Sequence, residues 1–245
     1  MEQRLQTVLS RAGTSSRRRA AVLIEDGRVK VDGKVVKERG FRIDPAKHEI
    51  RVSGKALQSQ EKKHYFLFNK PKNVISTVSD THDRPKITDF FKKIDARLYP
   101  VGRLDKDTVG AIIVTNDGPL AHKLMHPSFE TRKEYIVTSD IFLTGQNIKK
   151  ISGGLKLDKK LTSQCEIKLL RRSATGAVYR MILHEGRKRQ IKRMFEVLGG
   201  KVLELKRVKY AGLDLGDLKE GEFRRLTKKE VEKLKKIPAA SPPTS

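Results

Sequence analysis

The 245 residues contain one cysteine, Cys165, so the chain can close no disulfide within itself and build no cysteine-based zinc site. That thiol, among strand-forming neighbours, reads as a small core hydrophobe. No apolar run approaches the length of a membrane span. The opening MEQRLQTVLSRAG is amphipathic but lacks the h-region and cleavage site of a secretory signal. A P-loop and a dinucleotide fingerprint are both missing. His122 and His126 sit four apart on a helical stretch, but His48, His64, His82 and His184 are scattered and supply no third ligand at a workable spacing. The expectation is a cytoplasmic protein without membrane contact, metal or cofactor.

Acidic residues are also in short supply. Against 54 Lys and Arg there are 29 Asp and Glu, a net charge of +25, with basic runs at residues 17–19, 187–193 and 201–209. Such a balance implies a polyanionic partner, because counterions released from phosphates drive Lys/Arg binding. A basic membrane-surface protein would need a long helix with a bulky apolar face, and none is present. Hydrophobic residues form 37% of the chain, enough for packed cores. The length suits a small domain followed by a medium one.

The first 53 residues read as the small domain. Leu5, Val8, Leu9 and Ala12 recur at helical spacing up to Gly13, and Ser15 or Ser16 can cap a second helix running to about Asp26. A hairpin follows around Asp32-Gly33, a dipeptide suited to a type I′ turn, with further strand-like residues at 41–43 and 49–52. Arg4-Leu5, Ser16-Arg17-Arg18 and Gly27, Val29, Val31, Asp32, Gly33 resemble the RNA-binding module first seen in a small-subunit ribosomal protein. Arg17, Arg18 and Arg19 open a helix against its macrodipole, which an external phosphate would offset. Residues 54–63 are polar, carry no periodic pattern and read as a linker.

From His64 the texture changes. Strand-like segments occur at 65–68, 74–78, 111–115, 133–138, 165–170, 178–183 and 201–210. Helical stretches occur at 89–94, 122–126, 187–198 and 228–236. Many strands with scattered short helices indicate an α+β fold. This second domain spans 64–237, and the Pro/Ala/Ser-rich residues 238–245 read as a disordered tail.

Four segments in order carry the chemistry. They are Asn69-Lys70-Pro71, the loop Gly102-Arg103-Leu104-Asp105 with Thr108 and Gly110, the strand Lys133-Glu134-Tyr135, and Gly186-Arg187-Lys188-Arg189-Gln190-Ile191-Lys192-Arg193. Alone, Asp105 would be an ordinary turn aspartate. Together the segments resemble the pseudouridine synthases. With the N-terminal module and the Arg-Gln-Ile-Lys-Arg-Met ending, they resemble the branch that modifies ribosomal RNA in bacteria. The resemblance implies a mixed, mainly antiparallel sheet in the larger domain. Uridine becomes pseudouridine when the glycosidic bond breaks, the uracil turns and the bond re-forms through a carbon; nothing is gained or lost, so no cofactor is needed.

The resemblance implies Asp105 as the essential carboxylate, acting as nucleophile or as base. Burial in a base-sized pocket disfavours an ionised carboxylate and a nearby cation restores it; the position matching the family's cation is Lys192. Tyr135 takes the place of the ring set against the flipped base, and Arg103 of the residue that fills the gap left by the extruded nucleotide. Asn69, Lys70, Pro71, Gly102 and Leu104 shape the pocket. Arg4, the 17–19 arginines, Arg187, Lys188, Arg189 and Arg193 face RNA. The implied partner is ribosomal RNA or a subunit assembly intermediate, bound by a monomer. A non-catalytic assembly factor and a basic DNA-binding protein are the competing readings. Presence of Asp105, Tyr135 and Lys192 weighs against the first, and RNA-over-DNA preference at matched salt discriminates the second.

Overall fold

Leu5, Val8 and Leu9 bury one face of helix α1 (Leu5–Arg11), and Ala20, Leu23 and Ile24 bury the facing side of α2 (Arg17–Glu25). Ser16 caps α2 by accepting the Arg19 N–H at 3.1 Å. In this computed structural model, residues 1–57 and 62–239 are described. They divide into two units. The first comprises Met1–His64 with Ile94–Arg97 and Asn116–Gly118, and the second the rest of the described chain.

In the first unit, β1 (Val29–Val31) and β2 (Lys34–Val36) pair around Asp32-Gly33, with Asp32 in the left-handed region at φ 48°. Strand β3 (Ile50–Val52) joins the other edge of β1. The expected linker begins as a strand: β4 (Lys55–Ala56) folds back on Arg51–Val52 through a two-residue turn at Ser53-Gly54. Residues 58–61 of that linker, and 240–245 of the expected tail, lie outside the described residues. The α1–α2 pair shares one core with Val29, Val31, Val36 and Ile50 of this sheet and with Ile43 of the separate Gln3–Arg4/Arg42–Ile43 ribbon.

A nine-stranded sheet organises the second unit. Along its main path it contains β5 (Tyr65–Lys70), β7 (Val109–Thr115), β8 (Lys133–Ser139), β9 (Glu166–Ser173), β10 (Gly176–Leu183), β11 (Val202–Tyr210) and β13 (Phe223–Arg225), in the spatial order β9-β10-β8-β11-β7-β5-β13. Off this path, β6 (Tyr99–Val101) pairs with β7 and β12 (Leu213–Asp214) with β11. All pairings are antiparallel except β11 with β7. Helices α3 (Gly118–Met125), α4 (Gly145–Gly153), α5 (Gln190–Val197) and α6 (Lys228–Lys235) complete it. Five phenylalanines, Phe66, Phe68, Phe90, Phe91 and Phe223, gather where β5, β13 and a short 3-10 turn meet, with ring centroids 4.4–5.5 Å apart. Each such pair adds about 0.5–1.5 kcal/mol beyond area burial.

One expected strand does not form. Residues 74–78 have only an isolated bridge from Ile75 to Lys86, because both edges of β5 are already taken by β7 and β13. The segment instead braces a neighbouring loop through Ser76.

The parallel crossing of β7 and β11 is the tightest backbone approach near that loop. A Cβ on Gly110 would lie 2.2 Å from the Arg207 carbonyl oxygen, and Gly110 has φ +114°. Gly110→Ala is therefore expected to destabilise the chain by at least about 3 kcal/mol, combining backbone strain and overpacking. Urea unfolding checks this; an unchanged midpoint would contradict the packing of β7 on β11.

Candidate active site

Between β6 and β7 the chain runs through Gly102–Thr108, and several neighbours hold it in place. Leu104 is buried, and the Ser76 hydroxyl accepts from its N–H at 3.0 Å and donates to its carbonyl at 2.9 Å. The Asn73 N–H bonds the Lys106 carbonyl at 2.8 Å, and the Thr108 N–H closes a turn onto the Asp105 carbonyl at 3.1 Å. Asp105, at the turn, is half-buried. No ion pair engages it among the described residues.

Lys70, at the end of β5, is fully buried. Its ammonium donates to the Pro71 carbonyl at 2.9 Å, to Val74 at 2.8 Å and to Lys106 at 3.5 Å. Burial pushes this amine down to about 8, and the carboxylates of Asp107 and Asp105 push back. The preceding Asn69 is buried and donates to the Leu218 carbonyl at 2.7 Å; Pro71 is half-buried.

Lys192 projects from α5 with 6% exposure, and its ion pair is with Asp107. Partial burial works against the Asp107 carboxylate, but the hydrogen bond and charge of Lys192 outweigh it and hold the group below its ordinary range. The pair draws the start of α5 to the Asp105 loop, two residues beyond Asp105 itself. Arg103 is exposed and has no ion pair among the described residues.

Tyr135 is buried on β8 opposite Arg207 of β11. A register shift between Glu134 and Tyr135 marks a bulge there, a device that re-aims side chains near functional sites. Arg207 itself is buried, donates from Nε to the Ala111 carbonyl at 2.6 Å and lies 4.4 Å over the Tyr210 ring. One terminal nitrogen of its guanidinium is buried without a hydrogen-bond partner among the described residues. Burial pushes the Tyr210 phenol up to about 12, with Arg207 acting against it and Tyr135 with it. Lys133, two residues before Tyr135, donates to the Thr131 carbonyl at 2.7 Å and to His184 at 3.3 Å. Its amine is pushed down to about 8 by burial and by Arg207.

Contiguity follows from shared neighbours. Gly102 faces the Tyr210 hydroxyl, Arg207 spans Tyr210 and β7, Lys70 senses Arg207 and both loop carboxylates, and Asp107 holds Lys192. Sequence reasoning names Lys133 only as part of the Lys133-Glu134-Tyr135 segment and gives Arg207, Ser76 and Asp107 no role in the site. Arg207 stands in a basic, strand-like stretch, and only the paired register brings it beside Tyr135.

The basic segment before α5 divides differently from its sequence reading. Arg187 bonds Glu185 at 3.0 Å, the Lys160 carbonyl at 3.2 Å and the Leu161 carbonyl, so its fork braces the Lys156–Leu161 ribbon. Arg193 pairs with Asp158 at 2.5 Å and Arg189 with Glu196 at 3.3 Å, while Lys188 is exposed. Arg4, Arg17, Arg18 and Arg19 are all exposed on the first unit.

Residues 64–197 match the family model for RNA pseudouridylate synthase, and residues 3–49 match the S4 domain. The chain is 42% identical to the ribosomal large subunit pseudouridine synthase B of Bacillus subtilis over 96% of both chains. It is 40% identical to an uncharacterised RNA pseudouridine synthase of Mycobacterium leprae, over 95% of this chain and 92% of that one. A crystal structure of a pseudouridylate synthase superposes with a TM-score of 0.69 at 32% identity, covering 94% of this chain and 99% of that one.

The buried amine of Lys70 makes stability depend on pH in a definite direction. Its folded value lies near 8, below the 10.5 of a free lysine, so between those values the unfolded chain binds more protons and stability rises with pH. Lys70→Met removes this contribution. The stability of wild type relative to the variant is expected to increase from pH 8 to 10.5, read by denaturant midpoints; a gap constant across that window would refute the burial of a charged amine.

Proposed function

The chain belongs to the RNA pseudouridylate synthase family, and on that premise we propose that it isomerises one uridine of ribosomal RNA with Asp105 as the essential carboxylate. The observation that carries this reading is the Asp105 loop, a half-buried acid whose flanking backbone, at Leu104 and Lys106, is clamped by Ser76, Asn73 and the Lys70 ammonium. A reacting group needs this fixed placement, because misplacement by an ångström forfeits much of the benefit of proximity.

In this reading the target nucleotide leaves its stack, at a cost of a few kcal/mol, and the exposed Arg103 fills the gap with a planar cation that stacks and hydrogen-bonds. Tyr135 packs against the uracil; stacking on one ring contributes about 1–3 kcal/mol. Asp105 starts cleavage of the N-glycosidic bond, by attack or by removing a sugar proton. The retained uracil turns and a carbon–carbon glycosidic bond forms. A proton leaves the ring carbon and a proton ends on the freed ring nitrogen, so the product is an isomer of the substrate. Lys192, anchored through Asp107, supplies positive charge near the loop. Asn69, Lys70, Pro71, Gly102 and Leu104 form the wall that keeps the detached base in place.

The first unit docks the substrate. Exposed Arg4, Arg17, Arg18 and Arg19 meet phosphates, joined by Lys188 and Arg189 in the second unit. RNA is then read mainly by shape and single-stranded segments. The enzyme acts as a monomer in the cytoplasm, on ribosomal RNA or on a subunit assembly intermediate.

Asp105→Asn is expected to abolish turnover and leave RNA affinity within about twofold, because a neutral amide of nearly equal size replaces the carboxylate: the nucleophilic or basic oxygen is lost while the shape met by RNA is kept. Pseudouridine mapping of ribosomal RNA from cells lacking the chain, complemented with either form, reads this: one site lost and restored only by wild type. Restoration by the variant would remove Asp105 from the mechanism.

Replacing Arg17, Arg18 and Arg19 together by alanine is expected to make the salt dependence of RNA binding shallower by about two to three in log–log slope. Filter binding across a salt series measures it. An unaltered slope would take the α2 arginines off the RNA.

A further inference from the structure

On one face of the large sheet, a second built feature lies away from the Asp105 loop. A cavity of about 340 Å³ is lined by Asp140, Phe142, Arg172, Ala174, Thr175 and Gly176. We propose that this cavity is a second nucleotide site, taking one unpaired base that carries an exocyclic amino group, from the same RNA that presents the target uridine. The identity of the ligand as RNA rests on the function proposed above; the platform itself does not.

Phe142 is 44% exposed, yet the backbone on either side of it is pinned. The buried Tyr179 hydroxyl accepts the Leu143 N–H at 2.6 Å and donates to the Ile141 carbonyl at 3.5 Å. Just before it, the Asp140 N–H bonds the Lys201 carbonyl at 3.1 Å and the Asp140 Oδ1 accepts the Lys201 N–H at 2.6 Å. The aromatic ring is therefore presented on a braced segment. Arg172 places its guanidinium 4.1 Å from the ring centroid, which adds a second flat surface. Gly176 closes the cavity floor: at φ +146°, a Cβ there would lie 1.9 Å from the Ser139 carbonyl, so the β9–β10 hairpin meets the end of β8 with no side chain between.

Bases of single-stranded RNA stack on aromatic rings and on arginine planes, and both surfaces are present here. Arg171 and Lys201 are exposed beside the cavity and favour a polyanionic chain passing over it. Inside it, the Asp140 carboxylate repels a phosphate but accepts from an amino group, as acidic side chains do from the cytosine N4. Uracil has no such donor. The chemistry thus selects cytosine, adenine or guanine, and the base enters while the phosphate stays outside.

The register relates this site to the first. Ser139, Ala177 and Arg172 form one row across β8, β10 and β9, and Tyr135, Met181 and Arg207 form another on the same sheet face. The rows are four residues apart on β8, about 14 Å. Val137 and Tyr179 between them are buried, Tyr179 against Phe195 of α5, so an RNA that fills both sites passes over that cover rather than along the sheet.

Full-length protein binding to oligocytidine and oligouridine ten-mers, followed by fluorescence anisotropy, tests this. Wild type is expected to bind oligocytidine more tightly. Phe142→Ala should weaken oligocytidine binding about tenfold and Phe142→Tyr should preserve it, because the ring is retained. Asp140→Asn should erase the preference for cytosine. With a ribosomal RNA transcript, Phe142→Ala should raise KM and leave kcat unchanged. Equal affinities of wild type for the two oligomers, or oligocytidine binding by Phe142→Ala equal to that of wild type, would overturn the proposal. So would a fall in kcat with unchanged KM. Absence of any isomerisation by wild type would instead refute the proposed function, with the oligomer comparison still deciding the site.

Discussion

Lys70 bonds carbonyls from two separate loops with one ammonium: Pro71 and Val74 on one side, and Lys106 of the Asp105 loop on the other. Hiding a charge from water costs several kcal/mol unless it is paired and hydrogen-bonded. Here three carbonyls bond it, and the Asp105 and Asp107 carboxylates lie close enough to favour its charged form. A neutral amine could donate to only two of those oxygens. The loop geometry and the charge of Lys70 therefore support each other, and the rest of the site is arranged around the loop they fix.

That interdependence changes the meaning of the basic composition. The net charge of +25 invites the inference that every lysine and arginine awaits a phosphate. Lys70, Lys192 and Arg207 are instead buried, and Lys133, Arg187 and Arg193 are bonded to the protein's own carbonyls or carboxylates. The cations left in solvent, including Arg4, Arg17, Arg18, Arg19, Arg103 and Lys188, form the set with which a polyanion can be met. Their spread over both units fits a long ligand held at several points, whose affinity falls steeply with salt.

Sequence patterns made much of the fold legible, because the signals were local. Asp32-Gly33 announced its hairpin, Ser15 or Ser16 a helix cap that Ser16 supplies, and the run from Ala111 to Thr115 a buried strand. The segment at 74–78 misled because strand propensity says nothing about whether a sheet edge is free. Strand β4 was hidden for the opposite reason: Lys55–Ala56 has no apolar alternation and is recruited by the Ser53-Gly54 turn. Around the site, motif positions pointed to Asp105, Tyr135 and Lys192, the residues the proposed mechanism uses. Arg207 stayed invisible because its importance comes from the crossing of β7 and β11, partners 97 positions apart in the Gly110–Arg207 register.

In the proposed mechanism, two carboxylates of one loop divide the work that sequence reasoning assigns to one. A group that attacks or removes a proton needs its lone pairs free, and a direct ion pair with Lys192 would occupy them. Asp107 takes that contact instead and positions the ammonium beside the loop. Asp105 is then left half-buried, its backbone pinned by the Thr108 turn and its side chain outside any ion pair among the described residues. Spacing the two acids by a single residue, Lys106, serves both needs at once, because the carbonyl of that residue is the one the Lys70 ammonium holds.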